Sequence, residues 1–209
     1  MESEIIDKNL SIALNRTFDC FAHVKNKYYT CNSINLLHSG QYFIFLLYLA
    51  NTIYNFEIKG KHENDHFVLE ARMICDKLYC LNKMLSSCDV YYEVELPKYF
   101  LIEHPVGSVI GRARIGNGFM FYQGCTVGGN NGKYPTIGEN VVMYSNSKIL
   151  GNSIIGNNVL IGANCYIKDM VIPAHSMVFG QYPNIVIKEG YNEKIDKEIN
   201  RLFCLDLAL

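Results

Sequence analysis

The sequence lacks an excess of charge of either sign. Lysine and arginine number 19, aspartate and glutamate number 20, and the formal net charge is −1. No run of basic residues stands out along the chain. Proteins that bind nucleic acid or anionic membranes electrostatically usually present a basic patch. The composition therefore argues against both kinds of partner.

Long hydrophobic runs are also missing. The longest apolar run, residues 42–50, is far shorter than the roughly 20 residues that a helix needs to cross a bilayer. The first ten residues, MESEIIDKNL, are acidic where a signal peptide would be basic. The eight cysteines include no CxxC pair and show no regular spacing. We therefore expect no membrane span, a cytoplasmic location and reduced thiols.

The sequence does contain a strict six-residue repetition. Aliphatic side chains recur at this interval in the second half of the chain: Ile137, Met143, Ile149, Ile155, Ile161 and Ile167. Earlier series with the same interval are Val109, Ile115, Phe121 and Val127, and Val90, Leu96 and Ile102. A seven-residue step and a ten-residue step join the three series, and glycine often follows the aliphatic residue.

A period of six fits neither a helix nor a simple strand, so each unit must be a short strand followed by a corner. Three units close a triangular coil of about 18 residues, and stacked coils form parallel sheets about 4.8 Å apart. The repeated aliphatic residue fills the interior, and the glycine after it allows a tight corner. We therefore predict a parallel β-helix of about five coils between residues 90 and 179.

The remainder of the chain follows a helical pattern. Residues 66–85 place apolar side chains close to a period of 3.6, and residues 34–54 indicate a more buried helix with a turn at Ser39-Gly40. Ile195, Ile199 and Leu202 indicate a short amphipathic helix near the end. The predicted domains are a helical N-terminal domain (1–88), a β-helix (89–186) and a C-terminal helical tail (187–209). The predicted fold class is mainly β.

Two residues inside the repeat suggest acid–base chemistry. Asp89 precedes His104 by 15 residues, slightly less than one coil, so both should lie on neighbouring coils at one corner. A hydroxyl is a poor nucleophile until a base removes its proton, and an imidazole with a pKa near ~6.5 suits that role. A carboxylate on the other ring nitrogen would fix the tautomer. The Gly128-Gly129 corner could present backbone N–H groups to an oxyanion.

These segments resemble the hexapeptide-repeat acyltransferases, and most closely serine acetyltransferase. The resemblance rests on the Asp89–His104 segment, on QGCTVGG (residues 123–129) and on the later coils from residue 147 to 164. It implies a left-handed β-helix, acetyl-CoA as co-substrate, no metal, and a homotrimer or a dimer of trimers. It implies catalytic roles for His104 and Asp89. The residues that it implies for coenzyme A are Gly128, Gly129, Ser145 and Ala163.

The segment that contacts the acceptor departs from the family. Serine acetyltransferases carry Arg-His-Pro after the Gly-Gly loop, whereas this chain has Lys133-Tyr134-Pro135 in a loop about four residues shorter. Lys133 keeps the charge but lacks the two-pronged guanidinium that suits a carboxylate. Glu103 and Lys133 could still bracket a zwitterion, with Tyr134 beside them. Two acceptors stay open, with L-serine slightly favoured (cysteine biosynthesis) over a sugar hydroxyl of a surface polysaccharide.

Other functions of the same coil fit less well. A zinc hydratase related to carbonic anhydrase needs three histidine ligands, and the repeat region has only His104 and His175. We interpret His175 as structural. A non-catalytic scaffold would not need the Asp89–His104 pair. The GGNNGK segment lacks the spacing of a phosphate-binding loop.

Overall fold

The N-terminal half is helical, as the sequence predicts. The computed structural model describes residues 2–205. Its helices are α1 (Glu2–Ala22), α2 (Ser39–Ile53), α3 (His66–Ser86) and α4 (Asn192–Leu202), with a π-helical turn at Tyr54–Ile58 after α2. None of the helices in this part of the chain combines the length and apolar character needed to cross a bilayer.

Side-chain caps define where the central helices begin. The His38 side chain accepts a hydrogen bond from the backbone N–H of Gln41 ahead of α2. Asp65 accepts one from Phe67 (2.8 Å) ahead of α3. α3 ends at Ser86, and the capping residue Ser87 adopts the left-handed conformation typical of a helix terminus. The Asp65 cap explains why the polar stretch before residue 66 is a loop and the stretch after it a helix.

Three faces of short parallel strands form a β-helix. Face A contains β2 (Phe100–Ile102), β5 (Phe119–Phe121), β8 (Val141–Met143), β11 (Val159–Ile161) and β14 (Ser176–Gln181). Face B contains β1 (Asp89–Val90), β3 (Val109–Ile110), β6 (Thr126–Gly128), β9 (Lys148–Leu150) and β12 (Tyr166–Lys168). Face C contains β4 (Arg114–Ile115), β7 (Thr136–Ile137), β10 (Ile154–Ile155) and β13 (Val171–Ile172). Finally, β15 (Asn184–Glu189) pairs antiparallel with β14.

One column of side chains from each face fills the interior. Face A contributes Ile102, Phe121, Met143, Ile161 and Val178. Face B contributes Val90, Ile110, Val127, Ile149 and Ile167, and face C contributes Ile115, Ile137, Ile155 and Ile172. All are buried except the half-buried Ile115. The six residues from Ile137 to Ile167 therefore point inward, and the predicted fold class is confirmed.

One position of the predicted series is wrong. Val109 is 43% exposed, whereas its neighbour Ile110 is 3% exposed and stacks between Val90 and Val127. Regular corners from face A to face B place inward residues six apart, but Ile102 and Ile110 are eight apart. The corner has two residues more than a regular one, and the next step, from Ile110 to Ile115, is five residues, so counting six back from Ile115 leads to Val109 instead of Ile110.

Asparagines and a histidine line a different corner, between faces C and A. Asn140, Asn158 and His175 all have positive φ, at 55°, 57° and 53°. The Asn140 side-chain amide donates to Asn158 (2.9 Å), and the next amide lies 3.2 Å from Nε2 of His175. Asparagine tolerates this backbone conformation better than most residues. His175 thus belongs to a structural ladder of the coil.

Face A is covered on its outer side as well. Its outward residues are buried: Leu101, Met120, Val142, Leu160 and Met177. They share one core with Ile195 and Ile199 of α4. The segment after α1 joins this cover, because Val24 pairs with Phe203 and the N–H of Lys25 donates to the carbonyl of Leu202 (2.8 Å). The segment after α1 therefore meets the end of α4, and both share the core on the outer side of face A.

Candidate functional site

Asp89 and His104 lie on neighbouring coils at the edge between faces A and B. Asp89 opens β1, and His104 lies in the enlarged corner that leads to β3. The N–H of Gly107 donates to the carbonyl of Ser87, and the N–H of Asp89 donates to the carbonyl of Ser108, both at 2.8 Å. These bonds join the coil of Asp89 to the coil of His104 at the edge that the 15-residue spacing predicts.

The backbone of His104 is unusual for a residue with a side chain. Its φ is 51°, its carbonyl accepts a hydrogen bond from Val106 (2.7 Å), and the residue is exposed. Left-handed conformations outside glycine are uncommon and often mark functional sites. His175 has the same sign of φ and is also exposed, so the feature that distinguishes His104 is the two extra residues of its corner.

The Asp89 carboxylate is held by α3. Oδ1 accepts a hydrogen bond from the Tyr79 hydroxyl (2.7 Å), and Oδ2 accepts one from Lys83 (2.5 Å). Within residues 2–205, none of the hydrogen bonds of this carboxylate comes from the His104 imidazole. Burial alone would raise the pKa of Asp89, but the bonds from Lys83 and Tyr79 outweigh it and lower the pKa below its ordinary value. Asp89 is therefore a carboxylate at neutral pH.

A tight hairpin follows the two glycines at the opposite edge of face B. Asn130 and Lys133 exchange two backbone hydrogen bonds (2.9 and 3.0 Å) around Asn131 and Gly132. Both central residues have positive φ, at 50° and 73°, as a type I′ turn requires. The Asn-Gly dipeptide is a strong hairpin signal, so the sequence contained the information for this turn. The shortened loop is thus a rigid two-residue turn.

The hairpin places the Tyr134 ring over Gly129. A Cβ on Gly129 would lie 2.6 Å from that ring, so only glycine allows this approach. Tyr134 also borders a cavity of about 410 Å³ on face C, together with Arg112 and Arg114 of the preceding coil. The six-residue repeat of the sequence did not predict this cavity.

The two charges predicted to bracket an acceptor lie far apart in the fold. Glu103 is half-buried at the edge between faces A and B, next to His104. Lys133 is in the hairpin at the edge between faces B and C. Face B separates them, so a single chain does not bring Glu103 and Lys133 together.

The predicted cofactor residues divide between the same two edges. Ser145 and Ala163 lie on the later coils at the edge of His104, and the carbonyl of Ser145 accepts a hydrogen bond from Asn164 (2.9 Å). Ala163 is exposed and Ser145 is half-buried. The half-buried Gly128 and the exposed Gly129 lie at the edge of the hairpin.

A column of polar side chains that the sequence did not indicate continues from Glu103. Tyr122 and Tyr144 occupy the equivalent position on the next two coils, and their rings stack at 5.6 Å between centroids and 10° between planes. The Tyr144 hydroxyl donates to Glu198 of α4 (2.7 Å). Tyr144 and Glu198 are 54 residues apart and share no motif.

Across residues 2–205, no three histidine, cysteine, aspartate or glutamate side chains cluster closely enough to hold a metal ion. The eight cysteines, all of which lie in this range, form no disulfide bond with one another.

Comparison with known proteins agrees with this architecture. The profile described as "Bacterial transferase hexapeptide (six repeats)" matches residues 134–169. A serine acetyltransferase of Staphylococcus epidermidis is 37% identical over 134 residues, which cover 62% of this chain and 60% of the relative. The chain therefore spans less than two thirds of the length of this curated relative.

Solved structures show the same fold. Serine acetyltransferase isoform 3 of Entamoeba histolytica, in complex with cysteine, is 26% identical, with a TM-score of 0.58 over 90% of this chain and 63% of that one. A serine acetyltransferase in complex with CoA is 20% identical, with a TM-score of 0.66 over 89% of this chain and 73% of that one. At that identity the second likeness establishes the fold alone.

Proposed function

We propose that this chain, a hexapeptide-repeat protein of the bacterial transferase type, transfers an acetyl group from acetyl-CoA to L-serine as a step of cysteine biosynthesis. The observation that carries the proposal is the exposed His104 in an enlarged corner, one coil away from the carboxylate of Asp89. The similarity to serine acetyltransferases supports the choice of donor and acceptor.

The proposed reaction needs a base, an oxyanion site and a leaving group. His104 takes the proton of the acceptor hydroxyl while its oxygen attacks the thioester carbonyl carbon. Backbone N–H groups at Gly128 and Gly129 stabilise the resulting oxyanion. Collapse of the intermediate breaks the carbon–sulfur bond, and the departing thiolate receives the proton from His104. No metal takes part in this sequence of steps.

Asp89 has an electrostatic part in this proposal. Its negative charge lies one coil from the imidazolium that forms during the reaction and stabilises that cation. Each carboxylate oxygen accepts one hydrogen bond, from Tyr79 or from Lys83, and has a further lone pair for a bond from the imidazole. Tyr79 and Lys83 keep Asp89 charged and fix its position next to the corner of the base.

The positions of the residues favour a site shared between copies of the chain. His104 and Glu103 lie at one edge of face B, and Gly129, Lys133 and Tyr134 lie at the other. If the His104 edge of one copy packs against the hairpin edge of the next copy, the two groups of residues form one site. Head-to-tail contacts of this kind close into cyclic assemblies. We propose a homotrimer, or a dimer of trimers, with acetyl-CoA along the groove near Ser145 and Ala163.

A coenzyme A release assay tests the function. Wild-type protein is mixed with acetyl-CoA and a panel of hydroxyl amino acids, sugars and sugar nucleotides. We expect release with L-serine, a loss of turnover of at least about a hundredfold in His104→Ala, and nearly unchanged acetyl-CoA affinity. His175→Ala is the matched control, because this second corner histidine belongs to the structural ladder. Release without any acceptor dependence, or full turnover in His104→Ala, would refute the proposal.

A sugar hydroxyl is the second candidate acceptor. The observation in its favour is the Tyr134 ring, which is 44% exposed beside the hairpin and offers a stacking surface. Lys133→Gln separates the two candidates. If the acceptor is serine, this change weakens its binding at least about tenfold, because a charge partner of the carboxylate is lost. If the acceptor is a neutral sugar, the same change has little effect and Tyr134→Ala has a large one.

A further inference from the structure

The residue next to the candidate base belongs to a column of stacked side chains. The N–H of Glu103 donates to the carbonyl of Phe121 (3.2 Å), and the N–H of Tyr122 donates to the carbonyl of Met143 (3.1 Å). Glu103, Tyr122 and Tyr144 are therefore equivalent positions on three successive coils. The column lies at the edge of face A, where α4 packs.

α4 presents a hydrogen-bonded ion pair to this column. Arg201 donates to Glu198 twice, from Nε (3.1 Å) and from Nη2 (2.7 Å). Oε1 of the same carboxylate accepts the Tyr144 hydroxyl (2.7 Å). The hydrogen bonds from Arg201 are the largest effect on the pKa of Glu198 and lower it. Burial raises this pKa and the bond from Tyr144 lowers it, so the pKa lies below its ordinary value and Glu198 stays charged. A charge-assisted, two-pronged pair of this kind is stronger and more directional than a neutral hydrogen bond.

Tyr122 closes the chain of contacts. Its ring stacks on Tyr144. Burial raises its pKa, the charge of Glu103 raises it further, and the side-chain contact with Arg201 lowers it. Tyr122 therefore lies between Glu103, on the coil before it, and Tyr144, on the coil after it.

We propose that α4 positions the candidate active-site corner, with Arg201, Glu198, Tyr144 and Tyr122 fixing Glu103 and, through it, His104. The effect on catalysis rests on the function proposed above, whereas the effect on the corner does not. These four are positioning residues, since they act through Glu103. The apolar side chains Ile195, Ile199 and Leu202 already attach α4 to face A, so the polar chain is additional to that attachment.

The corner is a place where such support matters. It has two residues more than the regular corners, and His104 within it adopts a positive φ. A longer corner has more conformations available, and a base must be held in one of them to act efficiently. Contacts that restrict Glu103 therefore raise the fraction of molecules with His104 in place.

Hydrogen exchange measures the corner without reference to activity. The amides of Glu103, Val106 and Gly107 each donate to a backbone carbonyl. In Arg201→Gln we expect these amides to exchange at least about threefold faster, with the interior strands unchanged. Tyr144→Phe keeps the ring stack and loses only the bond to Glu198, so it should show a smaller change in the same amides. Lys197→Gln, an exposed site on the same helix, is the control and should match wild type.

Activity provides the second measurement. Arg201→Gln should lower kcat about tenfold and leave the acetyl-CoA KM within about twofold, because the base and not the cofactor groove is displaced. Unchanged exchange at the corner in Arg201→Gln would overturn the inference, as would a uniform rise across the chain. Faster corner exchange in a protein whose wild type acetylates nothing would support the inference and refute the proposed function.

Discussion

The later part of the β-helix has coils of nearly constant length, whereas the earlier part has longer and less regular ones. From Ile137 to Ile172, stacked residues of face C are 18 and then 17 apart, and every corner is short. Up to Ile137, the intervals include 20 between Val90 and Ile110 and 22 between Ile115 and Ile137. The enlarged corner and the hairpin account for the longer intervals.

The difference separates fold from chemistry. Asp89, Glu103, His104, Lys133 and Tyr134 all lie in the irregular part. Extra residues at a corner project toward solvent, so they leave the interior columns intact and their entropic cost grows only slowly with length. The regular coils thus specify the scaffold, and the insertions carry the candidate site.

The strongest test of the regular part is a charge in its interior. Ile155 is 2% exposed and its strand neighbour Ile154 is 47% exposed. Ile155→Asp should bury an unpaired carboxylate and prevent folding. Ile154→Asp should remain soluble with a circular dichroism spectrum like that of wild type. A soluble Ile155→Asp protein with unchanged melting would contradict the inward assignment.

The irregular part has a corresponding pair of adjacent positions. Ile110→Ala removes a buried side chain and should cost about 2–5 kcal/mol of unfolding free energy. Val109→Ala, at the position that the six-residue phase indicated, should cost less than about 1 kcal/mol because Val109 is 43% exposed. Urea denaturation of both variants compares the costs. Equal losses of unfolding free energy in the two variants would contradict the assignment of Ile110, and not Val109, to the interior.

The sequence predicted the interior because burial imposes a period on it. Ile137, Ile155 and Ile161 follow the period because each must occupy the same place in its coil. Val109 was misassigned because the step from Ile102 to Ile110 is eight and the step from Ile110 to Ile115 is five, and a change in corner length has no apolar signature of its own. The helical N-terminal domain and the C-terminal helix were likewise predicted from their apolar spacing.

The site was only partly accessible from the sequence. Because the 15 residues from Asp89 to His104 are slightly fewer than one coil, the spacing predicted that both lie at one edge of the β-helix, between faces A and B. The bonds of Asp89 to α3 and the contact of Tyr144 with Glu198 join different elements, so no local pattern encodes them. The same limit applies to Glu103 and Lys133, whose separation depends on which edge of face B each corner occupies.

The regular part can also be tested as the cofactor surface. Ala163 is exposed at the edge of face B, and Ala163→Trp should obstruct the groove there. We expect the acetyl-CoA KM to rise about tenfold, equivalent to about 1.4 kcal/mol, with a much smaller change for the acceptor. Val171→Trp, on an exposed site of face C, is the control. Equal increases for both substrates would locate the cofactor elsewhere.

The smallest expected effect concerns how α3 holds Asp89. Its pKa in the folded protein lies below the ordinary value near ~3.9, so its bonds stabilise the fold fully above that value and are lost as pH falls through the folded pKa. Asp89→Asn should therefore lower Tm at pH 7 by less than about 4 °C, because Lys83 is exposed. The difference from wild type should shrink below about pH 4, whereas exposed Asp196→Asn should show none at either pH. A Tm difference that stays constant down to pH 3 would show that the Asp89 charge does not stabilise the irregular coil.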